Sequence, residues 1–197
     1  IDSSADMIRE AKARSGGNPG FVQGQIQEWN PSSGPGVLLS NAALQWVPGH
    51  EDLLGRWAKA LDPGSWIAVQ VPGNFNAPSH VLMRELAESP RWSPALAGVL
   101  RGGDSVAEPE QYLELFVDAG MNTDVWETSY SQVLTGTNPV LDWVRGTALR
   151  PVMAALPPEE YEGFEAEYAA LLRQAYPPKP WGTVFPFRRI FMVAHKP

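Results

Sequence analysis

Apolar positions along this chain fall into two alternating rhythms: short continuous runs, and longer stretches that recur at helical spacing. Runs bounded by turn residues predict strands, and the periodic stretches predict helices. Val37 to Leu39 is such a run, β-branched and leucine-rich, ending at Ser40-Asn41-Ala42-Ala43. It predicts a parallel strand covered on both faces that delivers small and polar side chains into a cleft, because ligands of open α/β sheets bind beyond the carboxyl ends of strands. Ahead of it, Ile1-Asp2-Ser3-Ser4 places an acid at a strand end, where it can hold two ribose hydroxyls. Ser3 or Ser4 can cap a helix through Met7, Ile8 and Ala11 to about Arg14. Gly16-Gly17-Asn18-Pro19-Gly20 ends that helix, Phe21–Gln23 is a short strand, and Gly24-Gln25-Ile26 is a turn.

A helix is expected from about Glu51 to Leu61, presenting Leu53, Leu54, Trp57 and Leu61 on one face, until Asp62-Pro63-Gly64 breaks it. Trp66 to Val71 follows as a strand, closed by Pro72-Gly73-Asn74. Strand, helix and strand alternating at these lengths predict an α/β fold with a parallel sheet. From Pro78 the pattern changes: a helix at His80–Glu88, an irregular Gly- and Pro-rich stretch at Pro90–Asp104, and a helix at Pro109–Ala119. Residues 76–107 therefore read as a lid-like insertion within a single domain covering 1–197. Met121–Leu134 reads as strand, Pro139–Leu149 as helix, Pro158–Ala175 as a long amphipathic helix and Arg188–Ala194 as the last strand.

Composition narrows the chemistry. The 197 residues are 44% hydrophobic and 19% charged, ordinary for a globular chain, and no apolar run reaches the roughly 18 residues of a membrane helix. With 15 Lys and Arg against 22 Asp and Glu, the net charge of −7 opposes a nucleic-acid surface. No cysteine and three scattered histidines leave no disulfide, thiol nucleophile or zinc site to expect. The expectation is a cytoplasmic enzyme, monomeric or weakly homo-oligomeric, that binds neither nucleic acid nor membrane and uses no metal.

Six stretches, IDSSADMI at 1–8, SNAALQWVPGHEDLL at 40–54, HVLMRE at 80–85, LDWV at 141–144, LRP at 149–151 and RIFMVA at 189–194, resemble the class I S-adenosylmethionine-dependent methyltransferases, and more narrowly the trans-aconitate 2-methyltransferases. The resemblance implies a Rossmann-like sheet with helices on both faces, an antiparallel last strand and a helical lid. It also implies that the first strand, the glycine-rich loop after it and the next helix lie upstream of Ile1, about 30 residues or more, so that half of the cofactor cradle is absent from this chain.

On that reading S-adenosylmethionine is the cofactor. Asp2 would hold its ribose, with Ser3 capping the helix or touching the adenosine. Met7 would lie against the adenine unless it fills the core. Gln25 and Ile26 would read the adenine edge, where the family usually carries an acid; an amide oxygen can accept the same bond. Trp29 would wall this pocket or belong to the core. Asn41, Ala42 and Trp46 would border the sulfonium, with Gln45 a weaker candidate and backbone capping the competing role for Asn41.

The substrate would be a small tricarboxylate, and an acidic protein needs a local cationic pocket to bind one. His80, Arg101, Arg150 and Arg189 are the candidates, with His50, Arg84, Arg145 and Arg188 also available and Tyr130, Trp181 and Asn74 possible lining. Arg189 stands out because it shares a strand face with Phe187 and Phe191, where a charge wants a partner. A carboxylate is already ionised at neutral pH, so methyl transfer to it needs positioning and no general base, and no catalytic residue is expected. A hydroxyl acceptor would call for a base, His80 or His50. A binding module lacking the glycine loop, and a nicotinamide-dependent oxidoreductase, are the readings from other classes.

Overall fold

Ser4 begins the first helix by accepting from the Met7 N–H (3.3 Å), as the sequence predicts, and the helix runs Ala5–Arg14 (α1). The computed structural model describes every residue except Asn18, so that part of the expected helix-ending run lies outside the described residues. The elements continue as β1 (Val37–Asn41), a 3-10 turn (Leu44–Trp46), α2 (His50–Ala60), β2 (Trp66–Pro72), α3 (Pro78–Ala87), α4 (Ser93–Leu96), α5 (Pro109–Asp118), β3 (Asn122–Leu134), α6 (Pro139–Arg145), α7 (Arg150–Ala155), α8 (Pro158–Ala175) and β4 (Thr183–His195). The expected Phe21–Gln23 strand shrinks to one parallel bridge, Asp2 with Gln23. The expected Pro139–Leu149 helix ends early and resumes at Arg150, where Pro151 suits a first turn because its missing N–H would have no partner there.

The four strands form one sheet in the order β1-β2-β4-β3. Lys196 N–H donates to Ser65 O (2.9 Å) at one end of the β2–β4 pair, and Gly73 N–H donates to Arg188 O (3.0 Å) at the other. Partner numbers fall along β4 as they rise along β2, so the last strand is antiparallel to β2, as the family resemblance implies.

The chain divides into two compact units: Ile1–Val69 with Glu110–Asp124 and Met192–Pro197, and Gln70–Pro109 with Val125–Phe191. In the first unit, Leu54, Trp57, Ile67, Tyr112 and Phe116 are fully buried. Its strand β1 departs from expectation. Leu38 and Ser40 are buried, but Val37 and Leu39 are 72% and 77% exposed. An apolar run without alternation does not distinguish a strand covered on both faces from one covered on one, and here the latter holds.

In the second unit, α3, α4, α6, α7 and α8 enclose a core that includes Met83, Val144, Leu149, Phe164, Tyr168 and Phe185. The stretch expected to be irregular carries α4, and its Trp92 and Leu96 are buried in this core. Two buried tyrosines hold the start of α3: Ser79 N–H donates to the Tyr176 hydroxyl (3.1 Å), and the Tyr168 hydroxyl donates to Ser79 O (2.6 Å). They take the place of a side-chain cap, which α3 lacks. Burial raises the Tyr168 pKa, so the hydroxyl stays a donor at all working pH.

Tyr168→Phe removes a buried hydrogen bond to the Ser79 carbonyl, which keeps the i+4 N–H of its own helix, and is expected to destabilise the protein by about 0.5–1.5 kcal/mol in urea unfolding with an unchanged slope. A loss under about 0.5 kcal/mol would mean that this bond does not hold α3 in place.

Candidate functional site

In the first unit, the Asp2–Gln23 bridge brings together the two segments expected to hold a nucleoside. Asp2 N–H donates to Val22 O (3.2 Å) and Gly24 N–H donates to Asp2 O (3.0 Å). Asp2 Oδ1 accepts from Ser4 N–H (2.8 Å), which fixes the carboxylate while Oδ2 takes no partner among the described residues. Ser3 is exposed, and its carbonyl accepts from Gln23 Nε2 (3.4 Å). Met7 is exposed too and therefore fills no core. The Gln25 side chain is exposed with no hydrogen bond, Ile26 is half-buried, and both sit in a turn closed by Glu28 N–H to Gln25 O (3.1 Å). That turn is anchored on α2: Trp57 Nε1 donates to Trp29 O (3.1 Å), their rings meet edge-on at 5.5 Å, and Arg56 donates to Gln27 O. Trp29 thus belongs to the packing against α2.

At the end of β1, Asn41 is exposed and its side chain caps nothing. Ala42 adopts φ +50°, in the left-handed region, and its carbonyl accepts from Gln45 Nε2 (2.7 Å). A residue with a Cβ pays about 1–2 kcal/mol for that backbone. Next to it, the Ser40 hydroxyl is buried with no partner, a cost of about 1–3 kcal/mol. Both local costs fall within three residues at the end of β1. Trp46, at the end of the 3-10 turn that follows, is half exposed.

The candidate cations of the second unit differ in the partners they already hold. Arg188 is taken by Glu108 and Glu127. Arg145 is taken by Asp142 and Glu165, and the same Arg145 bond holds Glu165 below the usual carboxylate range. Arg84 donates to Phe75 O (2.7 Å), Arg101 is engaged within the protein, and Arg150 is exposed at the start of α7. Arg189 differs. Its Nε donates to the Tyr130 hydroxyl and Nη1 to Gln70 Oε1 (2.8 Å), with the guanidinium 5.1 Å from the Phe187 ring centre. Half-buried among neutral groups, it has no carboxylate partner among the described residues. Gln70 was not singled out in the sequence, where its only signal is that it is the one amide in the apolar run of β2. Asn74 clamps β4 through both of its amide atoms on the Arg188 backbone, and Trp181 is exposed.

The two candidate histidines sit in different surroundings. Burial, reinforced by Arg84, pushes the His80 pKa down to about 4, so His80 is uncharged at neutral pH. His50, in the first unit, is buried with Nδ1 on Val47 O (3.2 Å) and Nε2 on the Tyr112 hydroxyl (2.6 Å). A cavity of about 50 Å³ beside Asn138 and Tyr176, and an open groove of about 680 Å³ beside Glu51 and Lys59, include none of these candidate residues.

Among solved structures, a protein from Bacillus halodurans assigned as a methyltransferase matches with a TM-score of 0.57 over 100% of this chain and 81% of its own, at 12% identity. The fold is thus the Rossmann-like α/β fold of methyltransferases. No protein-family model matches the chain. Sequence relatives are much nearer: it is 50% identical over 201 residues to a trans-aconitate 2-methyltransferase of Streptomyces avermitilis, spanning 100% of this chain and 75% of that one. It is 51% identical to one of Streptomyces coelicolor (100% and 67%) and 52% identical to one of Rhodococcus jostii (98% and 76%). The chain belongs to the trans-aconitate 2-methyltransferase family. No helix of the described residues is long and apolar enough to cross a membrane.

Two outcomes test the local analysis. Ala42→Val, which forces a β-branched residue into the left-handed region, is expected to destabilise by about 1–3 kcal/mol, whereas Ala42→Gly stays within about 1 kcal/mol of wild type; equal effects in chemical unfolding would remove the strain argument. For His80, the folded protein stays neutral down to about pH 4 while the unfolded chain takes up a proton near 6.5. Its contribution to stability is therefore complete above pH 6.5 and lost as pH falls toward 4. Melting temperatures between pH 7 and pH 5 should fall less for His80→Gln than for wild type, and parallel curves would show that His80 does not titrate this way.

Proposed function

We propose that this protein transfers the methyl group of S-adenosylmethionine to a carboxylate of trans-aconitate, giving a monomethyl ester and S-adenosylhomocysteine. The observation that carries the reading on the substrate side is Arg189, a half-buried guanidinium with no acidic partner in a protein of net charge −7. Such a charge is stable in that setting when an anion completes it. The family relationship supports the choice of anion.

The residues of the first unit suit the cofactor. Asp2, pinned at Oδ1, leaves Oδ2 to accept from ribose hydroxyls. The free Gln25 amide oxygen can accept from the adenine amine beside Ile26, and the exposed Met7 thioether can cover the base. Ser3, Asn41, Ala42 and Trp46 border the remainder. When bound, S-adenosylmethionine would supply an electrophilic methyl with a neutral thioether as leaving group, and a carboxylate acceptor would need no residue to take a proton. The protein's part is to hold one carboxylate so that another is aligned for attack. A neutral His80 of low basicity accords with chemistry that needs no base.

Incubating the full-length protein with methyl-labelled S-adenosylmethionine and trans-aconitate, cis-aconitate, citrate or isocitrate should give an extractable, base-labile product with trans-aconitate. Binding of S-adenosylhomocysteine with no labelled acid would overturn the substrate reading. Arg189→Met should raise KM for trans-aconitate about 30- to 100-fold, equivalent to about 2–3 kcal/mol, and leave S-adenosylhomocysteine affinity unchanged; an unchanged KM would exclude Arg189 from the substrate.

A further inference from the structure

Gln70 lies on β2 and is 94% buried, with 6% of its surface exposed. Its Oε1 accepts from Arg189 Nη1, while its Nε2 has no partner. The orientation is not arbitrary. A guanidinium carries only donors, so the amide must turn its oxygen toward Arg189, and this commits the NH₂ group to the side that lacks an acceptor. Arg189 itself has five N–H groups, of which two are engaged, by Tyr130 and Gln70. Buried donors without acceptors are rare, and here an amide and a guanidinium with spare donors are bonded to one another.

Their position follows from the strands. Gly73 pairs with Arg188, so Pro72 stands opposite Arg189 and Gln70 is its diagonal neighbour on the same face. On the other face, Val71 and Ile190 are fully buried. Around the pair, Phe187 and Tyr130 contact Arg189, and Trp126 stacks on Phe191 at 5.2 Å. The surroundings are aromatic and neutral, which strengthens any charge-assisted hydrogen bond made there.

We infer that the Gln70 amide NH₂ and the free N–H groups of Arg189 together hold one carboxylate of the substrate, and that this carboxylate is the anchor and not the one methylated. An oxygen that accepts charge-assisted bonds gives up electron density and becomes a poorer nucleophile, so the carboxylate tied by two donor groups is held and an untied one attacks. The inference rests on the proposed methyl transfer for its substrate, and it adds the residue that sets which carboxylate is spent on binding. It also predicts specificity: an acid lacking the anchored carboxylate gains nothing from Gln70.

The test is calorimetric titration of the full-length protein, saturated with S-adenosylhomocysteine so that no turnover occurs, using trans-aconitate and three dicarboxylates that each lack a different one of its carboxylates: mesaconate, itaconate and cis-glutaconate. Gln70→Met, similar in shape, should weaken trans-aconitate about tenfold while melting temperature and S-adenosylhomocysteine affinity hold, and one of the three dicarboxylates should bind wild type and variant alike. Gln70→Glu should weaken trans-aconitate further, because the new carboxylate occupies Arg189. Trans-aconitate affinity within twofold of wild type in Gln70→Met overturns the inference, as does an equal loss for all four acids or binding of none of them by the wild type. The two readings fail separately: Gln70-dependent binding without labelled ester keeps the anchor and sinks the methyl transfer, and labelled ester with Gln70-independent binding does the reverse.

Discussion

The antiparallel pairing of β2 with β4 is the constraint on which the second unit's chemistry depends. Because side chains alternate along a strand, burying Val71 and Ile190 on one face commits Gln70 and Arg189 to the other. A one-residue slip would put a guanidinium into an apolar core, which makes the register costly to change. Asn74 reinforces it just past β2, donating to Arg188 O (3.0 Å) and accepting from Arg188 N–H (2.8 Å), so the strand is clamped one residue from the guanidinium. Arg188 is then held sideways by Glu108 and Glu127. Two adjacent arginines thereby acquire opposite fates, one satisfied by acids and one left with neutral partners.

How much of this could be read from the sequence depended on whether the signal was local. The helix about Leu53, Leu54 and Trp57, the strand Trp66–Val71 and the long helix Pro158–Ala175 carry their own periodicity and turn residues, and each stands within a residue or two of its expected place. Asp2 and Gln25 came from a motif, and the bridge through Gln23 sets their segments side by side. Arg189 was visible because a charge between Phe187 and Phe191 breaks a strand's apolar face. What was hidden is relational. Val37 and Leu39 look like buried residues, and only the packing shows which face of β1 is open. Arg188 and Arg145 were further cations available in the sequence, and the acids that hold them, distant in sequence, are brought beside them only by the fold. His80 looked like a cation because burial, which lowers its pKa, is a property of the folded unit. The missed break after Arg145 has a local sign, Gly146 followed by Pro151, which a regular apolar spacing overrode.

Methyl transfer to a carboxylate sets a requirement that differs from most group transfers. The acceptor is already an anion, so nothing has to be deprotonated, but every positive charge used to bind it also quietens it. A tricarboxylate separates the two tasks, provided the cations reach only the carboxylates that are not to react. A protein in which Arg188 and Arg145 are neutralised by acids, His80 is kept uncharged and Arg189 alone of the β4 arginines is left to neutral partners meets that requirement by subtraction. Surplus positive charge on the attacking carboxylate would lower its nucleophilicity, and tighter ground-state binding that is not increased in the transition state would add nothing to turnover. The sparse cationic equipment of this chain is, on that argument, a feature of the chemistry and not a shortage.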